Sequence, residues 1–216
     1  MPNAKGRFIT LEGCEGVGKS TQLALLAATL RKRGIQLIET YQPGGTEAGK
    51  ALRELLVTGA VERWSPITET ALLLADRALH LDELIRPALA RGEWVLCDRF
   101  MDSTLAYQGG AGGLGFALIE QLQSPIIGDA VPDLTLWLDL PAQAGLTRAH
   151  KRDETQTHTN RFESKTPAYH AKVRESFQSL AEADPQRIKR IDASQEINLV
   201  AAQILALVES QFFPHK

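Results

Sequence analysis

Cysteine is scarce in this 216-residue chain: Cys14 and Cys97 are the whole complement, and no metal-ligand spacing surrounds either one. A reduced, cytoplasmic setting follows as the simplest expectation. Long basic blocks are missing too, and the formal net charge is −2. Nucleic acid as the main ligand therefore has little electrostatic support. No apolar run approaches the length of a membrane span, and the N-terminus lacks a signal-peptide pattern. No internal repeat is visible. With 44% hydrophobic and 23% charged residues, disordered and collagen-like classes are excluded. The length suits one domain over residues 1–216, with a small mobile insert.

Against these absences stands Gly13-Cys14-Glu15-Gly16-Val17-Gly18-Lys19-Ser20, which reads G-x-x-x-x-G-K-[ST]. In a chain this long the four fixed positions arise by chance roughly one time in a hundred. An apolar run at 8–11 precedes the motif and a helix-period run at 19–33 follows it, so the strand–loop–helix context is present. Glycines let backbone N–H groups curl around phosphate oxygens without Cβ clashes. The N-terminal end of the helix, with Thr21 in its first turn, adds positive potential. Lys19 brings a mobile charge to the outer phosphates, and the Ser20 hydroxyl can ligate Mg²⁺.

Apolar patterning places strands at 7–11, 35–41, 94–97, 134–140 and 188–191. Helical runs at 19–33, 47–57, 67–90, 115–127, 141–152, 166–183 and 196–212 alternate with them. Pro87 is expected to kink its helix, and the glycine run at 109–115 is expected to be a flexible loop. The alternation predicts an α/β fold of the P-loop NTPase type. It is a three-layer sandwich with a five-stranded, mostly parallel sheet covered by helices on both faces. Ligands in such sheets bind beyond the carboxyl ends of the strands, where the P-loop, Asp98-Arg99 and Asp192 fall.

A P-loop by itself does not separate GTPase, ATPase and kinase. The chain lacks an Asn-Lys-x-Asp guanine-reading motif and a Leu-Ser-Gly-Gly-Gln segment. What it has is arginines near strand and helix ends, as phosphoryl transfer between two anionic substrates requires. Asp98 can hold Mg²⁺ through water and Arg99 can fork onto a phosphate; a surface ion pair capping a strand is the competing reading. Arg77 lies in an apolar helical run, and because an unpaired buried charge is costly, it is expected to serve a ligand rather than the core; a solvent-facing helix edge is the competing reading. Arg148, Lys151 and Arg152 precede the polar stretch 153–160 and Arg161 follows it. Cations bracketing a loop at 148–163 suit a mobile lid, and equally suit an ordinary charged helix end. Tyr107 and Gln108 can pack on and read a base, or simply pack.

The ordered motifs resemble the thymidylate kinase family over nearly the whole length. They are Phe8-Ile9-Thr10-Leu11-Glu12-Gly13 running into the P-loop, Pro43-Gly44-Gly45-Thr46, Asp98-Arg99-Phe100, Ser103 and Ala106-Tyr107-Gln108-Gly109-Gly110. Pro132-Asp133-Leu134-Thr135, Arg161-Phe162-Glu163 and Ile191-Asp192-Ala193-Ser194 complete the set. The resemblance implies phosphorylation of dTMP to dTDP by ATP with Mg²⁺, in a homodimer formed through helices. It implies that Glu15 meets the sugar 3′-hydroxyl and that Arg53, Arg77 and Arg99 hold the monophosphate. Ser103 and Gln108 would meet the base edge, and Tyr107 would line the sugar and disfavour a 2′-hydroxyl. Gly16 stands where some members carry an arginine, so the resemblance is to the bacterial type, whose catalytic arginine comes from the lid: Arg148, Arg152 or Arg161. Departures are Tyr41-Gln42 for Arg-Glu, Leu73 and Leu74 where an aromatic stacks on thymine, Gly112 for an arginine and Asn160 for an aspartate. A kinase for another nucleoside monophosphate, or a non-catalytic nucleotide-binding module, are the rival expectations.

Overall fold

The computed structural model describes residues 6–153 and 161–213. Five strands among them form one parallel sheet in the order β2-β3-β1-β4-β5. These are β1 (Phe8–Glu12), β2 (Leu37–Tyr41), β3 (Trp94–Asp98), β4 (Leu134–Asp139) and β5 (Ile188–Asp192). The central strands β1 and β4 are buried at every position, whereas β2 and β5 at the edges are partly exposed. Full burial of near-continuous apolar runs is what a sheet covered on both faces demands.

Helices supply that cover. Among them α1 (Lys19–Lys32), α8 (Pro167–Ala183) and α9 (Ile197–Phe212) contribute Leu23, Leu26, Leu30, Val173, Phe177 and Val200 to the larger core cluster. A second cluster joins Phe8, Val95 and Cys97 to Leu81 and Ile85. The remaining helical segments are α2 (Glu47–Val57), α3 (Pro66–His80), α4 (Arg86–Ala90), α5 (Met101–Thr104), α6 (Phe116–Ile127) and α7 (Ala142–Asp153).

Two wider, π-helical turns depart from the expected elements. One, Leu81–Ile85, links α3 to α4 just before Pro87. A proline ring crowds the carbonyl four residues back, here that of Glu83, and a locally widened turn gives it room. The other, Leu105–Ala111, continues α5 and carries Tyr107 and Gln108. The flexible loop expected at 109–115 is thereby corrected over its first part. Gly110 is packed so tightly on α8 that a Cβ there would lie 1.9 Å from Ser176 Oγ. The glycines serve close approach, not only freedom of the chain.

Candidate functional site

At the carboxyl end of β1 the chain enters the P-loop. Gly13, Gly16 and Gly18 all have positive φ, and a Cβ on Gly13 would lie 2.4 Å from the Leu138 carbonyl oxygen. Only glycine fits there, and the loop therefore sits directly against β4. Gly18 precedes α1 in the left-handed conformation, so the first-turn amides of Lys19, Ser20 and Thr21 face the loop's concavity. Lys19 is buried, and its Nζ donates to the Cys14 carbonyl at 2.8 Å and the Gly13 carbonyl at 3.2 Å. Burial, and then the Arg99 charge, lower its pKa to about 8. Burial pushes the Cys14 thiol up to about 12, which leaves it unreactive.

Ser20 Oγ donates to Asp98 Oδ2 at 2.7 Å, which brings a hydroxyl and a carboxylate together at the mouth of the loop. Both are hard oxygen donors, and a pair of them suits Mg²⁺, which keeps waters and takes its other ligands from phosphates. No cluster of three or more His, Cys, Asp or Glu side chains exists among the described residues to form an all-protein metal cage.

Arg99 joins the two halves of the site. Its Nη1 donates to the Gly13 carbonyl at 2.8 Å and to Ser103 Oγ at 3.1 Å, and its Nη2 donates to Glu15 Oε1 at 3.2 Å. The guanidinium lies over the Tyr107 ring, and Tyr107 donates its own hydroxyl to Glu15 Oε1 at 2.8 Å. Burial alone would raise the Glu15 carboxyl. Arg99 outweighs it, with help from His170, Lys19 and Tyr107, and holds the group at about 2. Glu15 is thus a fixed anion at working pH. Nδ1 of His170, on α8, lies 3.4 Å from its other oxygen.

These groups open into one cavity of about 660 Å³. From Lys19, Ser20 and Asp98 it extends past Arg99 and Ser103 to Tyr107 and Gln108. Leu73, Arg77 and Phe162 line it as well, whereas Leu74 does not. Phosphate-gripping and acceptor-type surfaces therefore share a single space, joined at Arg99.

The thymidylate kinase family model matches residues 11–204. A thymidylate kinase from Magnetococcus marinus is 47% identical over 97% of this chain and 98% of its own length. Another from Caulobacter vibrioides is 48% identical over 94% and 96% respectively. Among solved structures, thymidylate kinase from Ehrlichia chaffeensis superposes with a TM-score of 0.76 at 30% identity, covering 94% of this chain and 98% of that one. The chain belongs to the thymidylate kinase family. Its function is accordingly phosphorylation of dTMP to dTDP, with ATP as donor.

As a thymidylate kinase fold, the chain gathers most of the residues singled out from sequence. Glu15, Gly16, Gly18, Lys19, Ser20 and Thr21 of the P-loop and the start of α1 line the cavity. Arg53, whose Nη1 donates to the Pro43 carbonyl at 2.8 Å, and Arg148, whose Nη1 reaches the Ala193 carbonyl at 3.4 Å, line it from either flank. Gly13, Cys14 and Val17 do not line it; Cys14 and Val17 are buried in the core.

Arg77 lines the cavity from a buried position. It is 1% exposed, and its donors reach Gln42 Oε1 (3.0 Å), Gln123 Oε1 (2.8 Å), Thr104 Oγ1 (2.8 Å) and the Phe100 carbonyl (3.1 Å). A buried arginine is tolerated here because neutral acceptors take four of its five N–H donors while it still edges the cavity. Burial lowers its pKa to about 10, so it stays charged.

Arg161 requires a correction. Its guanidinium is buried, donating to the Leu56 carbonyl at 2.8 Å, the Val61 carbonyl at 2.9 Å and the Glu69 carboxylate. Those donors tie the chain at Arg161 to α2, to the turn after it and to α3, and Arg161 does not line the cavity. Glu69 in turn accepts from Gln108 Nε2 at 2.7 Å, which fixes that amide's orientation. The Arg152 side chain and residues 154–160, Asn160 included, lie outside the described residues. Sequence reasoning missed Glu12, Glu69, His170 and Phe162 as contributors. The one available signal was Glu12, an acid closing a strand whose only other polar residue is Thr10.

Proposed function

We propose a division of labour for dTMP phosphorylation in this chain. Lys19 and the loop amides grip the ATP phosphates, and Ser20 and Asp98 hold Mg²⁺. When bound, that ion neutralises charge on the donor phosphates. Arg53, Arg77 and Arg99 hold the acceptor monophosphate, whose oxygen attacks the γ-phosphorus as the bond to ADP breaks. Tyr107 lines the sugar, Glu15 accepts its 3′-hydroxyl, and Ser103 and Gln108 face the base edge. Residues 148–163 act as a lid, with Arg148 and Arg152 offsetting charge on the transferring group. Positioning and electrostatics carry most of the rate in such a reaction. The observation behind this reading is the placement of Arg99, which touches the P-loop at Gly13 and the acceptor side at Ser103 and Glu15.

A coupled assay with ATP, Mg²⁺ and each deoxynucleoside monophosphate tests it. The expected result is turnover of dTMP well above the others, and loss of turnover in Lys19→Ala with an unchanged melting profile. Equal use of other acceptors would refute the thymine assignment; near wild-type turnover in Lys19→Ala would refute the P-loop mechanism. We also assign the protein to the cytoplasm and to a homodimer. No described helix is long and apolar enough to cross a membrane, and the adjacent helices α2, α3 and α6 expose Leu55, Ile67 and Leu118.

A further inference from the structure

Behind the P-loop sits a carboxylate to which the transfer step gives no role. Glu12, the last residue of β1, is 0% exposed. Its Oε1 accepts the Phe100 N–H at 2.7 Å and the Ser103 N–H at 3.4 Å, and its Oε2 accepts the Ser103 hydroxyl at 2.5 Å. Phe100 is the N-cap of α5 and has no side-chain cap of its own. An acid from another element therefore satisfies the amides that a Ser or Asp cap would normally serve.

The residue before that cap is Arg99. It is the one non-glycine residue with positive φ, 68°, among those described. Such a conformation persists only where its surroundings over-determine it. Both peptide groups flanking the Arg99 Cα are tied to β1. The Arg99 N–H donates to the Leu11 carbonyl at 3.0 Å, and the next N–H, of Phe100, donates to Glu12. Ser103 extends the hold to the side chain, since its hydroxyl donates to Glu12 while its oxygen accepts from Arg99 Nη1.

We propose that Glu12 is a positioning residue for phosphoryl transfer: it locks Arg99 into its left-handed turn and, through Ser103, aims the guanidinium at the seam between donor and acceptor. Asp102 of α5, Arg99 itself and Arg77 of α3 all act on this carboxylate. Burial, and then Asp102, push it up to about 7. An apolar residue at this strand end would spare the fold that cost, so what the acid adds is its three-point hold.

The inference rests on the role given to Arg99, and a double-mutant cycle separates the two. Wild type, Glu12→Gln, Arg99→Met and the double variant are compared by kcat and by KM for each substrate. Glu12→Gln keeps the volume but points an amide donor at the Ser103 hydroxyl. It is expected to lower kcat about tenfold with KM for ATP within about twofold of wild type. The double variant should be no slower than Arg99→Met within about twofold, because Glu12 acts through Arg99. Wild-type kcat in Glu12→Gln, or losses that multiply in the double variant, would overturn the inference while leaving Arg99 its role. Arg99→Met at wild-type rate would overturn both. Thermal melts confirm folding. If Glu12→Gln does not fold, Glu12→Asp, which keeps the charge and withdraws it by one methylene, takes its place in the same cycle with the same expectations.

Discussion

Phe162 and Leu73 line the same cavity as Arg77 and Gln108, one with an aromatic ring and the other with an aliphatic chain. Leu73 stands where the family resemblance implies a stacking ring. An aromatic face under a base contributes on the order of 1–3 kcal/mol, and leucine keeps contact without the π surface. Phe162 offers an aromatic ring in the same cavity, with the Arg161 guanidinium over it and Tyr107 edge-on at 6.2 Å. Phe162→Ala is therefore expected to raise KM for dTMP by about tenfold while KM for ATP stays put. Leu73→Phe should lower KM for dTMP. Initial rates over both substrate concentrations check the pair, and an unchanged dTMP dependence in Phe162→Ala would show that the ring serves packing alone.

Arg161 shows how a residue's role passes to the elements it joins. Its three partners lie on α2, on the turn after it and on α3, and with Glu69 it forms a buried ion pair. Removing one partner of such a pair strands a buried charge, at a cost of about 3–5 kcal/mol. Arg161→Ala should lose stability of that order in urea unfolding, while kcat per folded molecule falls far less. A large kcat defect at unchanged stability would return Arg161 to the catalytic lid. The π-helical turn Leu105–Ala111 belongs to the same scale. Packed on α8 through Gly110, it presents Tyr107 to Glu15 and Gln108 to Glu69. Glycine richness at 109–115 predicts freedom, and the tertiary contact converts it into tight packing.

For the molecule as a whole, the parallel sheet delivers the ends of β1 and β3 side by side, with Leu11 in register with Asp98. That register is why Ser20 meets Asp98 and why Arg99 reaches Gly13. The same compactness leaves titratable groups buried, with consequences for stability against pH. His80 is fully buried, with Nε2 2.7 Å from Thr40 Oγ1, and burial, then the Arg77 charge, lower its pKa to about 4. The unfolded chain, with an ordinary pKa near 6.5, takes up the proton first. Stability from this group is therefore complete above about pH 6.5 and is lost as pH falls toward 4, by about 3 kcal/mol at most. Glu12 acts in the opposite sense: its folded pKa is raised to about 7, so stability is gained as pH falls from 7 toward its ordinary value. The two partly cancel in the wild type. His80→Gln removes only the first, so its stability should rise relative to wild type between pH 6.5 and 4.5. Urea unfolding at several pH values checks this, and parallel curves for the two proteins would contradict it.

By itself the sequence determined what is local in the chain. The spacing from Gly13 to Ser20 specifies a phosphate-binding turn because positive φ, close approach and a helix N-terminus are properties of neighbouring residues. The alternation of apolar runs specified the strands and most helices for the same reason. Tertiary structure decided which arginine faces a substrate and which holds the fold. Arg77, Arg99 and Arg161 look alike in sequence. Their roles depend on acceptors brought from far along the chain: Gln42 and Gln123 for Arg77, Gly13 and Glu15 for Arg99, Leu56 and Glu69 for Arg161. A guanidinium binds whatever acceptors converge on it, and that convergence exists only once the sheet has set its register.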